Sequence, residues 1–174
     1  MTKTELIDFI HRYYASEKLT ALINASLGIA MVFAASAPWR RAGSASFLKG
    51  LGYPLIVVGL FLSLVAGGLF FAVNQRSASM VAKYNGLPPA EATAQETARL
   101  NNVVDHSYTA TFWICGALIA TGVVVGFTST QSPFRGGIAC GLVVVSLLMI
   151  ASELYSKQKN TRYLRELQTS TRRQ

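Results

Sequence analysis

Apolar residues along the chain are concentrated in four long runs, and none of these runs contains Asp, Glu, Lys, Arg or His. The runs cover residues 19–37, 51–73, 108–127 and 136–151, and the last continues weakly to Tyr155. A helix needs about 20 apolar residues to cross a hydrocarbon core about 30 Å thick. The pattern therefore predicts an all-α integral membrane four-helix bundle, with spans at about 19–37, 51–73, 108–127 and 136–155.

The predicted helices continue beyond these spans on the side of the two chain ends. Thr2 and Glu5 have the spacing of a capping box, and residues 2–37 contain no Pro and no Gly other than Gly28 inside the first apolar run. Residues 153–168 after the last span also contain no Gly or Pro. We therefore expect long helices that extend past the lipid on this side.

The segment between the second and third spans has clear helix stop and start signals. Asn85-Gly86 is a typical helix end, and Pro89 suits the first position of a new helix. Residues 74–107 are thus predicted to form a helical hairpin extension within a single domain, 1–174. A disordered loop over 74–107 is the alternative.

The distribution of charged residues predicts the orientation of the chain in the membrane. The chain has 16 Lys and Arg against 8 Asp and Glu, a net charge of +8. The basic residues lie at span ends without a recognition motif, so we expect no nucleic-acid partner. On the side opposite the termini the basic residues are Arg40, Arg41, Lys49 and Arg135. The positive-inside rule then predicts cytoplasmic termini, and we expect a multi-pass protein of a bacterial inner (plasma) membrane.

Small residues recur four positions apart in the spans, a spacing that lets helix backbones approach closely. This spacing serves either packing within the chain or contact with a partner. Asn24 is a polar side chain well inside a span, so we expect it to bond across helices, to Ser26, Ser63 or Thr111. The candidate packing or partner-binding residues are Asn24, Ser26, Gly116, Gly122, Gly126, Gly137 and Gly141.

Reactive side chains are few and lie near the predicted cytoplasmic interface. The candidates there are His11, Asp105, His106 and Glu153, and Glu153 has the i,i+4 spacing of an ion pair with Lys157. The sequence has no Glu-x-x-His, Gly-x-Ser-x-Gly or Cys-x-x-Cys motif. We therefore predict no catalytic residue, no metal ligand and no cofactor. A membrane enzyme built on Asp105, His106 and Glu153 is an alternative.

These patterns favour a small non-enzymatic protein that acts through protein–protein interaction in the membrane. Membrane lipid and either a protein partner or a second copy of the chain are the expected partners. Two versions fit: an accessory subunit of a membrane complex, or an immunity protein that captures a membrane-acting toxin. The alternative function is a homo-oligomeric channel or small transporter. Its pore would draw on scattered polar residues, namely Asn24, Ser26, Ser63, Thr111, Thr121 and Ser146.

Overall fold

A computed structural model describes residues 2–43, 45–129 and 132–172, and this part of the chain is all-α with four long helices. The third long helix is divided into two segments. The predicted all-α four-helix architecture is confirmed. The helices are α1 (Lys3–Arg41), α2 (Phe47–Asn85), α3 (Pro89–His106), α4 (Thr109–Thr128) and α5 (Pro133–Arg172).

Four helices in the described residues are long and apolar enough to cross a membrane: α1, α2, α3 continued by α4, and α5. Their large apolar side chains point outward in many places, as Leu64 and Phe127 do with exposed fractions of 76% and 82%. In water such a surface would be unfavourable, whereas lipid tails solvate it. The arrangement is consistent with a multi-pass membrane protein.

The helix ends largely follow the predicted signals. Thr2 and Glu5 form the capping box, in which the side chain of each accepts a hydrogen bond from the backbone N–H of the other. α2 ends at Asn85 and α3 begins at Pro89, so most of residues 74–107 is a helical hairpin and not a disordered loop. α1 continues through Pro38 to Arg41, beyond the end of the apolar run.

The third long helix is not continuous, contrary to the expectation from the sequence. The helix is interrupted at Ser107 and Tyr108, although both residues keep right-handed helical backbone angles and the Ser107 N–H still donates to the Val103 carbonyl oxygen. Tyr108 is buried, and its hydroxyl is bonded to Asn160 of α5. The interruption therefore coincides with a side-chain contact between Tyr108 and α5. No Gly or Pro at Ser107 or Tyr108 predicts it from the sequence.

In the span region the helices pack in the order α1, α2, α5, α4. Glycine permits the closest approaches, because an added Cβ at Gly28 would lie 2.5 Å from the Gly59 carbonyl oxygen. An added Cβ at Gly137 would collide with the Phe47 carbonyl oxygen, and one at Gly122 would lie 2.9 Å from the Ala139 carbonyl oxygen. We call these close backbone contacts the helix seams. They hold α1 against α2, α2 against α5 and α4 against α5.

Beyond the spans, α1, α2, α3 and α5 share a compact hydrophobic core, which we call the stalk core. Its fully buried members come from all four helices and include Leu6, Tyr84, Leu100 and Leu167. Burial of side chains of this size stabilises the stalk by about 1.5–3 kcal/mol each. The stalk core holds the four helices in fixed positions just above the predicted membrane boundary.

Candidate functional site

A cavity of about 410 Å³ lies where the stalk meets the predicted spans, and we call it the interface cavity. This volume is within the range of small-molecule sites, about 300–1,000 Å³. Its lining combines polar side chains with apolar ones such as Leu69 and Val73, and comes from α1, α2, α3 and α5 and from Ser107 and Tyr108. The residues used below are Tyr13, Tyr14, Glu17, Thr20, Asn24, Arg76, Arg99, Tyr108, Glu153 and Asn160.

The outer end of the cavity, nearest the stalk core, is built around Arg99. Its guanidinium donates two hydrogen bonds to the Glu96 carboxylate, at 2.8 and 2.6 Å, and Glu96 is almost completely buried. The rings of Tyr13 and Tyr14 lie 5.0 and 5.9 Å from the guanidinium carbon. Burial opposes the charge on Arg99, but the Glu96 hydrogen bonds and charge outweigh it and raise the pKa of Arg99.

The middle of the cavity is formed by α1 and α5. Lys159 donates to Glu17 at 2.7 Å and to the Thr20 hydroxyl at 2.8 Å. Asn160 is 3% exposed, and its Nδ2 donates a 2.6 Å hydrogen bond to the Tyr108 hydroxyl. The Asn160 Oδ1 atom is buried and has no hydrogen-bond partner. A buried carbonyl oxygen without a partner is uncommon and calls for a ligand, a water or an ion.

The inner end reaches into the predicted spans. Asn24 forms the expected interhelical hydrogen bond, but its partner is Ser152 of α5, whose hydroxyl donates to Asn24 Oδ1 at 2.7 Å. The proposed partners Ser26, Ser63 and Thr111 were wrong, because α1 and α5 meet at this level. The Ser63 hydroxyl instead donates to backbone carbonyl oxygens, the nearer being Gly59 at 2.7 Å.

Glu153 also lies at this inner end. The predicted ion pair between Glu153 and Lys157 is not present among the described residues, since Glu153 lines the cavity and interacts with the Thr111 hydroxyl. A titratable residue at membrane depth that faces a cavity is a functional-site candidate. Glu153 is therefore the one predicted interface residue that the fold places in this cavity.

The other predicted interface residues do not converge on it. His11, Asp105 and His106 are exposed and do not line the interface cavity. Among the described residues, no group of three or more His, Cys, Asp or Glu could hold a metal ion.

The predicted packing glycines divide into two groups. Gly122, Gly137 and Gly141 lie in tight helix contacts, where an added Cβ would approach backbone atoms of a neighbouring helix within 3 Å. Gly126 has only an ordinary contact, with Ala139, and at Gly116 no atom of a neighbouring helix would come within 4 Å of an added Cβ. Ser26 is exposed on α1. The Gly116 position therefore contributes nothing to packing within the described chain.

Sequence reasoning missed most of the cavity lining. Arg76, Arg99 and Asn160 lie on three different helices, and no motif spacing connects them. A local signal existed only for Arg99, which follows Glu96 at the i,i+3 spacing of a helical ion pair. Asn160 had no such local signal, because the sequence of a polar helical segment does not show which of its amides will be buried.

Comparisons of the chain with protein-family models, with curated proteins and with solved structures find no match.

Proposed function

We propose that this protein is a non-enzymatic, multi-pass protein of a bacterial inner membrane that acts by binding a transmembrane helix of another protein. The observation that supports this is the uncovered face of α4. Among the described spans, α4 has extensive contact with α5 alone. On its other side Trp113 and Val124 are exposed at 77% and 61%, with Gly116 and Ala120 exposed between them.

The small residues on this face match those at the seams within the chain. Helix association in lipid depends on close van der Waals contact, which small residues permit. At Gly122 the chain uses this contact, because the backbone of α5 lies against it. Gly116 offers the same shape on the other side of α4, one turn from Ala120, with no helix against it. A partner helix seated there would gain the contact that α5 gains at Gly122.

Both versions of the role, an accessory subunit or an immunity protein, would use this face in the same way. We propose that both chain ends are cytoplasmic, because only four of the 16 Lys and Arg residues lie on the other side. The stalk would then project into the cytoplasm.

The decisive experiment compares two glycines that are equally uncovered. Gly116 on α4 and Gly68 on α2 both have open space where a Cβ would be added. The tagged wild-type protein, Gly116→Leu and Gly68→Leu are expressed in native membranes and purified in a mild detergent. We expect one co-purifying membrane protein with the wild type and Gly68→Leu, and at least a tenfold loss of it with Gly116→Leu.

Three outcomes would overturn the proposal. Equal retention of the partner by Gly116→Leu would mean that α4 is not the docking face. A wild-type protein that purifies alone as a monomer would remove the partner. A wild-type homo-oligomer that Gly116→Leu dissociates would mean that the face binds a second copy, and a channel would then be tested by flux into liposomes.

Orientation is tested separately with single cysteines in a background in which Cys115 and Cys140 are replaced by Ala. Gly43 follows α1 on one side of the bundle, and Gly86 lies at the exposed hairpin tip on the other. A membrane-impermeant maleimide should label Gly43→Cys in intact spheroplasts and Gly86→Cys only after permeabilisation. The reverse pattern would place the termini outside.

A further inference from the structure

We propose that a groove at the end of the bundle opposite the chain termini binds phosphatidylglycerol, with one acyl chain in the groove and the phosphate near Lys49 and Arg135. We call this groove the span groove. It has a volume of about 490 Å³ and lies between α2 and α4, with α5 as its floor. Its lining includes Tyr53, Val57, Leu118, Phe134, Ile138 and Val145.

The span groove exists because α2 and α4 both pack against α5 and have little contact with each other. Tyr53 and Val57 line the α2 wall, and Leu118 lines the α4 wall. The surface that these helices leave open is apolar, and it lies within the predicted spans. Lipid tails solvate such a surface, whereas water does so only at a cost in free energy. A hydrocarbon chain is therefore the occupant that the lining favours.

The length of the span groove matches one leaflet of a bilayer. Phe134 and Val145 are the first and last α5 residues along its floor. They are separated by about 16 Å at 1.5 Å per helical residue. Half of a hydrocarbon core is about 15 Å thick. Because the last apolar run begins at residue 136, the groove extends from the predicted membrane boundary to about the middle of the core. A transmembrane helix of a partner would need a groove through both leaflets.

Two basic side chains lie at the boundary end of the span groove. Lys49 precedes Tyr53 by about one helical turn on α2, and Arg135 directly follows Phe134 on α5. The Tyr53 and Phe134 rings meet edge to face at 5.8 Å, which brings the two helices together at this level. Neither Lys49 nor Arg135 forms an ion pair among the described residues. Both cations are thus available to an anionic group.

The charge of this end selects the headgroup. Residues 38–50 and 128–135, which connect the spans here, contain four basic residues and no Asp or Glu. Basic residues at a membrane surface attract anionic lipids, and a phosphate forms strong charge-assisted hydrogen bonds with Lys and Arg. Phosphatidylethanolamine also carries an ammonium group, which finds no acidic side chain here. Phosphatidylglycerol carries a phosphate and hydroxyl groups alone, so it fits this end better.

Binding is measured by native mass spectrometry of the purified full-length protein, titrated with phosphatidylglycerol and phosphatidylethanolamine that have identical acyl chains. We expect phosphatidylglycerol to bind at least fivefold more tightly. Equal binding of the two lipids, or tighter binding of phosphatidylethanolamine, would overturn the proposal.

Paired charge variants locate the headgroup. Lys49→Gln/Arg135→Gln should reduce the preference for phosphatidylglycerol to less than twofold. Arg40→Gln/Arg41→Gln is the matched control, because it removes the same charge from the same end of the bundle, on α1, which does not line the span groove. This control should keep the wild-type preference. An undiminished preference in Lys49→Gln/Arg135→Gln, or an equal loss in both double variants, would show that the phosphate does not lie at the groove.

A second pair of variants tests the acyl chain. Val57 and Leu64 are both exposed on α2, but only Val57 lines the span groove. Val57→Trp should fill the groove and weaken binding of both lipids at least fivefold, whereas Leu64→Trp should bind them like the wild type. A thermal unfolding curve checks that each variant is folded. Unchanged lipid binding by folded Val57→Trp would refute the groove as the site.

The other possible occupant of the span groove is a transmembrane helix. Loss of a co-purifying membrane protein from Val57→Trp, with phosphatidylglycerol binding unchanged, would replace the lipid with a helix. The lipid proposal does not depend on the docking face of α4, because Gly116 and Ala120 lie outside the groove. Val57→Trp that loses phosphatidylglycerol and retains any co-purifying protein supports the proposal.

Discussion

The Tyr84 hydroxyl donates a 2.9 Å hydrogen bond to the Glu96 carboxylate and so joins the last turns of α2 to α3 inside the stalk. Glu96 is 1% exposed and also accepts two hydrogen bonds from Arg99. A buried carboxylate is stable only when its lone pairs are occupied and its charge is balanced. This pair of residues therefore fixes the stalk end of the interface cavity.

Replacing Glu96 with Ala should be strongly destabilising. The change leaves Arg99 without its counter-ion and Tyr84 without its acceptor, and breaking a buried ion pair in this way costs about 3–5 kcal/mol. We expect a loss near the lower end of that range, because Arg99 is one-quarter exposed. The free energy of unfolding, measured by denaturant titration in mixed micelles, checks this.

Glu91→Ala is the matched control for this prediction. Glu91 lies on the same helix, but it is exposed, so its replacement should change the free energy of unfolding by less than about 0.5 kcal/mol. Equal effects of Glu91→Ala and Glu96→Ala would contradict the role assigned to the buried carboxylate.

Tyrosines of the stalk should make the protein sensitive to alkali. Burial, followed by the neighbouring charge of Glu96, raises the pKa of Tyr84, and burial, followed by the charge of Glu17, raises that of Tyr13. The folded state thus favours the neutral phenol more than the unfolded state does, where the pKa is about 10. Their contribution to stability is complete below pH 10 and is lost as the pH rises above it.

Absorbance of the phenolate against pH measures this directly. Part of the tyrosine absorbance should appear only well above pH 10, and the free energy of unfolding should fall over the same range. Tyr84→Phe should reduce the slope of that fall. If all tyrosines titrate together near pH 10 in the folded protein, the burial of Tyr13 and Tyr84 is contradicted.

The parts of the fold that could be predicted are those with a strong local cause. Uninterrupted apolar runs predicted the four long helices, and Asn85-Gly86 with Pro89 predicted the hairpin tip, because these residues act on their own backbone. The break at Ser107 and Tyr108 lacks such a cause. It coincides with the buried contact between Tyr108 and Asn160, which only the folded chain brings together.

The candidate site was less predictable for the same reason. Glu153 was selected because a charge beside an apolar run is conspicuous in the sequence, and the fold places it in the interface cavity. Arg76 and Asn160 are ordinary members of polar helical segments. They line the interface cavity only because helices that are far apart in the sequence pack against each other.

The hydrogen bond between Asn24 and Ser152 should contribute modestly to the stability of the span region. Hydrogen bonds between transmembrane helices average about 0.6 kcal/mol in double-mutant cycles and reach about 1.7 kcal/mol. We expect a coupling energy in this range from Asn24→Ala, Ser152→Ala and the double variant, measured by unfolding in mixed micelles. A coupling energy of zero would mean that the two side chains do not interact in the bilayer.

The packing role of the span glycines gives the last prediction. An added methyl at Gly137 would collide with the backbone at Phe47, which belongs to α2, and neither backbone can move without loss of the seam. Overpacking of this kind typically costs about 1–3 kcal/mol. Gly137→Ala should therefore lower the free energy of unfolding by about 1 kcal/mol or more.

Gly116→Ala is the matched substitution, because the same methyl group would enter open space. In the isolated protein it should be neutral or slightly stabilising, since Ala is favoured over Gly in a helix by about 1 kcal/mol. Unfolding of Gly137→Ala, Gly116→Ala and the wild type in mixed micelles makes the comparison. A Gly116→Ala variant as unstable as Gly137→Ala would show that α4 already has a neighbour at Gly116 within the chain, and the uncovered face would then not exist.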